Sequence, residues 1–383
     1  MKISILHIVG DSKFGGGSVL VNRLATMAKN QGWKADVLTT DYSFQQVLRN
    51  TGIGVISLDC IWRETRPIRD LAGLFRLSAF LRDRRYTIVH THTSKAGFIG
   101  RLAARLARLP VVVHTVHGFA FHEESSRLQL GMYGALERLA ASAADRVVTV
   151  SHYHRDWALK LGIGLPEKVV AIPNGIAPER VITSGSREQA RLELGLTPRD
   201  YALLSTGRLA PQKGLEFLLS AIALLEEQEL PPFRLFLAGT GPLSETLEKK
   251  VQDLKIEPRV RFLGFRNDVG ALLQAADMVV LPSLWEGLSI ALLEAMAAGK
   301  PIVTTSIGSN LEATGGGEAA VLVPPKDSGA LAEAIRGLIL DSAKAELLGE
   351  AARKRFVEQY TEDKMLSAYL ELYNQLLAEK VHK

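Results

Sequence analysis

Short β-branched runs alternate with stretches of helical periodicity along this whole chain, and that alternation most narrows what it can fold into. In the front half "ISILHIV", "KADVLTT", "GVISL", "YTIVHTH", "VVVHTVHG" and "DRVVTVS" read as buried strands. Between them "GSVLVNRLATMAKNQG", "IRDLAGLFRLSAFLRDRR", "AGFIGRLAARLARL" and "LQLGMYGALERLAASA" carry apolar residues near helical spacing. Strand, helix and strand in that order predict a parallel sheet with helices on both faces. The back half repeats the pattern with "YALLSTGRL", "FRLFLAGTG", "RVRFLGF", "MVVLPSL", "PIVTTS" and "AVLVPP" as strands. Between the halves, "IPNGIAPERVITSGS" is rich in Pro, Gly and Ser and reads as a hinge. The expected architecture is α/β: two doubly wound domains facing each other. Ligands in such sheets bind beyond the carboxyl ends of the strands, so a cleft between the domains is the expected site.

A length of 383 residues fits two domains. Apolar residues make up 47% and charged residues 23%, enough to bury two cores and far from a disordered composition. The lone Cys60 rules out an intramolecular disulfide and a cysteine zinc site, which fits a reducing compartment. The first apolar run is broken by His7 and ended by Asp11, unlike a signal peptide. No stretch reaches the roughly 18 apolar residues of a membrane span, so a cytoplasmic protein is expected. Charge is unevenly placed. Residues 1–178 carry 23 Lys and Arg against 13 Asp and Glu, a net +10, and the rest carry 23 against 28, a net −5. A basic front half attracts phosphorylated substrates, anionic lipid or nucleic acid. Nucleic acid has charge alone in its favour, with no motif.

Three glycine-bearing loops follow predicted strands. In "STGRLAPQKGLEFLLSAI" a strand ends at Gly207, Arg208 and Lys213 follow, and Gly214 opens an amphipathic helix. Two cations beside a helix start make a receptor for a diphosphate, although a surface loop with two solvated cations reads the same way. In "GDSKFGGGSVLVNRLA", Gly15, Gly16 and Gly17 let a phosphate or sugar approach the backbone, or simply form a tight turn. Neither a Walker A loop nor a dinucleotide fingerprint is present: the glycine spacing is wrong, and Asp36, the nearest acid, lies inside a strand. In "VVVHTVHGF", His117 ends a strand beside Gly118, while His114 alternates to the opposite face. His90 and His92 end another strand, followed by Ser94 and Lys95. A metal reading of these histidines is disfavoured, since His-x-His spacing serves packing and hydrogen bonding as readily.

"SLWEGLSIALLEAMAAGKP" sets Glu286 and Glu294 eight residues apart. A helix beginning near Leu288 places Glu286 in the loop before it and Glu294 about two turns in. The Leu288, Ser289 and Ile290 N–H groups then lie at a helix start, where phosphate is a natural partner. A carboxylate can accept from two vicinal hydroxyls. An entrance acid favoured by the helix dipole would account for Glu286, and a solvent-facing residue for Glu294. Neither accounts for an acid within a nearly all Leu and Ala helix.

"GRLAPQKG", "FLGFRNDV" and "SLWEGLSIALLEAMAAGKPIV", in this order, resemble the family-4 glycosyltransferases of the GT-B fold. The front half agrees through "GGGSVLVNRLA", "VHTHTSKAGFIGRLAA", "HTVHGF", "VTVS" and "IPNGI". The resemblance implies two Rossmann-like domains. Residues 1–178, with a C-terminal helix of about 362–383, would bind the acceptor, and residues 179–361 the nucleotide-sugar donor. It implies a retaining, metal-independent hexosyltransferase without cofactor, using a UDP-linked donor and a lipid-linked glycan acceptor of surface polysaccharide synthesis. The implied catalytic set is His117, Arg208, Lys213 and Glu286. Arg208, Lys213 and Gly207 would hold the diphosphate, Glu286 the donor sugar, and Glu294 the ribose. Gly287, Leu288, Ser289 and Ile290 would hold phosphate oxygens; Gly264, Phe265 and Arg266 the base; Gly16 and Gly17 would bind the donor, Gly16 near its phosphates or else near the acceptor, and His117 would lie near the donor sugar. Gly15, Ser94 and Lys95 would face the acceptor. The alternatives are a nucleotide-sugar epimerase of related fold and a non-catalytic sugar-nucleotide-binding protein. Finally, "RPIRDLAGLFRLSAFLRDRR" and "GRLAARLARL" carry apolar residues and arginines. They read as ordinary solvated helices or as peripheral docking on an anionic membrane.

Overall fold

The computed structural model describes residues 3–10, 16–62, 64 and 66–381. Two compact units divide the chain: residues 1–173 with 365–383, and residues 174–364. The junction thus lies at Pro173/Asn174, not at 178/179. Residues following it are tied into the second unit: Asn174 Nδ2 donates to the Leu288 carbonyl at 3.1 Å. Ile176 N donates to the Tyr360 carbonyl at 3.0 Å. The return crossing falls at Lys364/Met365, within the helix Glu362–Val381.

Each unit is built on one parallel sheet. The first contains β1 (Ser4–Gly10), β2 (Lys34–Thr39), β3 (Gly54–Ile56), β4 (Ile88–His92), β5 (Val111–Val116), β6 (Arg146–Thr149) and β7 (Val169–Ala171). Their order is β3-β2-β1-β4-β5-β6-β7. Central strands such as β4 and β5 are buried along their whole length, because helices cover both faces. Alternation divides the strand residues. Ile5, Val9, Val111 and Val113 pack with Leu20, Leu24, Tyr369 and Tyr373 of the helices Gly16–Asn30 and Glu362–Val381. Leu6, Ile8, Val89 and Val112 pack with Leu77, Leu81, Ile99 and Ala103 of the helices Pro67–Arg84 and Ser94–Leu106.

The second sheet contains β8 (Tyr201–Thr206), β9 (Phe233–Ala238), β10 (Val260–Gly264), β11 (Met278–Leu281), β12 (Ile302–Thr305) and β13 (Val321–Val323), ordered β10-β9-β8-β11-β12-β13. Leu203, Leu235, Met278 and Val303 form its core with Leu218 and Ile222 of one helix and Leu331 and Ile335 of another. In both sheets strand order reverses beside the first strand of the unit. Such reversals leave a crevice at the carboxyl ends, and in the second sheet it opens between β8 and β11.

Candidate functional site

A pocket occupies that reversal, lined by Ser205–Leu209, Lys213, Leu215 and Leu281–Ser283. Glycine geometry shapes it. Gly214 has φ +59°, and a Cβ there would lie 2.3 Å from the Pro282 carbonyl oxygen, so the loop after β8 presses directly on the end of β11. A Cβ on Gly207 would meet Lys213 Cε at 3.2 Å, so the Lys213 side chain lies across the strand end. The loop after β9 buttresses both: Gly207 N donates to Ala238 O and Leu209 N to Thr240 O, at 3.0 and 3.1 Å.

Lys213 Nζ stands 2.5 Å from Glu286 Oε1. Ser283 Oγ donates to the same oxygen at 3.0 Å, and Gln212 Nε2 to Oε2 at 2.8 Å. Glu286 is therefore fixed by three donors from two loops. Arg208 is exposed and makes no side-chain hydrogen bond or ion pair among the described residues. The two cations of one loop thus differ: Lys213 is neutralised in place, and Arg208 is available.

The helix of the Glu pair runs Ile290–Ala297, two residues later than a start near Leu288. Ser289 is its N-cap, its Oγ accepting from Leu292 N at 3.4 Å, as a serine before an apolar run favours. Glu294 therefore sits one turn in. It is buried, and Arg180 Nε from the turn Pro178–Val181 donates to its Oε1. Burial pushes the Glu294 carboxyl above its ordinary range, while Arg180 and then Lys213 oppose that shift. Leu288 is buried, and its carbonyl takes the Asn174 amide. At the end of β10, Gly264 has φ +65° and its carbonyl accepts from Gly239 N at 2.7 Å. Phe265 beside it is 77% exposed, and Arg266 is paired with Asp268.

The first unit carries the remaining residues. The helix Gly16–Asn30 starts at Gly16, and a Cβ on Gly17 would lie 3.8 Å from the His117 ring. Gly15 lies outside the described residues. His117 is half-buried, and burial lowers its pKa to about 4. His114 does face the other side of the sheet, where Nδ1 meets Thr91 Oγ1 at 2.9 Å. Ser94 opens the helix Ser94–Leu106. Lys95 is held by Asp70 at 2.7 Å and by the Glu64 carbonyl, a tie between helices. His7, His90 and His92 bring ring nitrogens within 4.8 Å of one another. Hydrogen bonds engage those of His90 and His92 on both sides: His90 with Tyr373 Oη and Thr115 Oγ1, His92 with His7 and His117.

Sequence reasoning missed Arg180, Gln212, Ser283 and the Gly239–Gly241 loop. Only the glycines of "LAGTGP" signalled anything, and what they permit is close approach: a Cβ on Gly239 would lie 1.9 Å from Gly207 O. As a receptor, the second unit offers an available guanidinium, a paired ammonium, two oriented carboxylates and a capped helix start. That set suits an anion attached to polyhydroxylated groups.

The family model for glycosyl transferases group 1 matches residues 186–355, and that for a glycosyl transferase 4-like domain matches residues 15–175. The UDP-Gal:alpha-D-GlcNAc-diphosphoundecaprenol alpha-1,3-galactosyltransferase of Escherichia coli is 37% identical over 251 residues, 65% of each chain. Bacillus subtilis EpsD, a glycosyltransferase by name, is 32% identical over 310 residues, 79% of this chain and 81% of that one. Among solved structures, Anabaena HepE in complex with UDP superposes with a TM-score of 0.81 at 25% identity. The match covers 98% of this chain and 100% of that one.

Proposed function

The chain belongs to the group 1 glycosyl transferases of GT-B fold, and we propose that it moves a hexose or N-acetylhexosamine from a UDP-linked donor to a hydroxyl of a lipid-linked glycan, with retention of configuration and without a metal. One observation carries this reading: Arg208 and Lys213 sit with Glu286 at the strand-order reversal of the second sheet. The UDP-Gal relative and the UDP complex support the choice of base. The lipid diphosphate in the relative's name supports the acceptor class.

The second unit would hold the donor, with Glu294 on the ribose and Glu286 on the sugar. Breaking the anomeric C–O bond builds negative charge on the diphosphate and positive charge on the sugar carbon. Arg208, Lys213 and the helix start at Ile290 answer the first, and charge aimed at a developing anion is commonly the largest single contribution to catalysis. The acceptor hydroxyl attacks from the face the diphosphate leaves, and its proton passes to a departing phosphate oxygen. That route needs no side-chain base. The guanidinium of Arg208 and the ammonium of Lys213 would do the work otherwise given to a divalent ion.

The same reading places the first unit against an anionic membrane, where a lipid-linked acceptor resides. The helices Pro67–Arg84, Ser94–Leu106 and Arg127–Ser142 pack side by side. Ile68, Leu71 and Phe75 are exposed on the first, and Leu128, Met132, Leu136 and Leu139 on the third, among exposed arginines. No helix of the described residues is long and apolar enough to cross a membrane.

The test is transfer to a lipid-diphosphate-linked GlcNAc from a panel of UDP-, GDP- and ADP-sugars, read by mass spectrometry and anomeric NMR. A UDP-sugar should give a product of retained configuration at a rate unchanged by EDTA. Inversion, loss of activity on chelation, or epimerised free donor without transfer would each overturn the corresponding part.

A further inference from the structure

His117, just past the end of β5, belongs to the catalytic set that the resemblance implies, and the transfer chemistry gives no role to the histidines beside it. Two of them form a line with it. His117 Nε2 lies 3.2 Å from His92 Nδ1, and His92 Nε2 lies 3.1 Å from His7 Nδ1. The line ends blind, because His7 Nε2 is buried without a hydrogen-bond partner. Its other end is His117 Nδ1, which has no protein partner among the described residues. His90 stands beside the line, yet both its nitrogens are engaged, at 2.6 Å by Tyr373 Oη and at 2.8 Å by Thr115 Oγ1.

Burial keeps these rings neutral: it lowers His7 to about 3 and His117 to about 4, and holds His92 well below the ordinary value. A neutral imidazole has one N–H and one lone pair, so a ring that donates at one nitrogen accepts at the other. Two hydrogen bonds in a row then allow only two proton arrangements. In one, His7 Nδ1–H donates to His92 Nε2, His92 Nδ1–H donates to His117 Nε2, and His117 keeps its proton on Nδ1. In the other every proton is reversed, and His7 buries an N–H that has no acceptor. Orphaned buried N–H groups are rarer than orphaned acceptors, so the first arrangement is favoured.

We propose that His92 and His7 are positioning residues that fix His117 as its Nδ1–H tautomer, so that it meets the ligand as a neutral hydrogen-bond donor. The role rests on the transferase reading insofar as the ligand is a sugar, but the tautomer does not. An acceptor nitrogen in the same place would repel a hydroxyl lone pair or ring oxygen, whereas Nδ1–H can donate to either.

Side-chain 1H–15N correlation spectra of histidine-labelled protein read the tautomers directly, with His117→Gln identifying the His117 signals. His117 should be protonated at Nδ1 and His7 at Nδ1. His7→Leu removes the first donor of the line, while His7→Asn keeps an amide N–H near where Nδ1 stood. The leucine variant should mix the His117 tautomers and lower kcat roughly 5- to 10-fold, the scale of one neutral hydrogen bond, with KM for the nucleotide sugar unchanged. The asparagine variant should retain both tautomer and rate. An Nε2–H tautomer at His117 in the unsubstituted protein overturns the proposal. So does a His117 spectrum indifferent to His7→Leu, or a stoichiometric metal ion bound at His7, His90 and His92. If the leucine variant does not fold, the spectrum of the unsubstituted protein still decides. The expected tautomer in a protein that transfers no sugar would sink the transferase reading and leave the positioning intact.

Discussion

Arg208 and Lys213 look interchangeable in a loop of eight residues, and the fold makes them unlike. Lys213 is bound to Glu286 and thereby orients it, whereas Arg208 has nothing to release before meeting an anion. Arg208→Ala should therefore act on the transition state, lowering kcat on the order of 100-fold with a small change in KM. Lys213→Ala should lower kcat and also raise KM, because it frees the carboxylate placed for the sugar. Initial-rate kinetics on both variants separate the two, and matching losses would mean that the pairing with Glu286 is irrelevant to binding. The sequence made Glu294 conspicuous because an acid is unexpected in an Ala and Leu helix, and Glu286 because it stands at that helix's entrance. It gave no hint of Arg180, which stands in a Pro- and Gly-rich segment 114 positions before the carboxylate it meets. His7 was hidden for a similar reason: its partner His92 is 85 residues away, and nothing local distinguishes it from a strand residue.

Among elements, the strands were the most legible, since buried parallel strands must be continuous apolar runs and helices between them amphipathic. All six strands of the second sheet lie in the runs that read as strands. In the first sheet β7 escaped notice, being three residues long and closed off by Ile172 and Pro173. Helix faces were less legible than helix positions. The sequence drew attention to arginine-rich helices, while the structure leaves a line of Leu128, Met132, Leu136 and Leu139 exposed along Arg127–Ser142. These positions recur at three- and four-residue steps, which puts them on one stripe of the helix. Exchanging Leu128 and Leu136 together for serine should reduce flotation with anionic vesicles. Transfer to a soluble acceptor should be unchanged. Undiminished flotation, or none by the original protein at low salt, would remove this helix from the membrane reading.

For the whole molecule, histidine is confined to one unit: residues 174–364 contain none. In the first unit burial lowers the pKa of His7, His90, His92, His114 and His117. Their folded-state values lie below the unfolded value near 6.5, so below that pH the unfolded chain takes up more protons than the folded one. Stability is then lost as pH falls from about 6.5 toward 4, with an uptake of up to about five protons on unfolding. The first unit should give way before the second in that window. Hydrogen exchange across both units at pH 7 and 5 would show this; equal weakening of the two would contradict it. The route of the chain adds a consequence of its own. Tyr369, Tyr373 and Leu376 complete the first unit's core, yet they lie beyond residue 364, after the whole of the second. A ribosome therefore delivers the first unit's closing piece last, and that unit waits unfinished through the synthesis of its neighbour. By the same token, a protease that cuts once at the Pro173 junction leaves two fragments still held by a helix that belongs to one by peptide bond and to the other by packing.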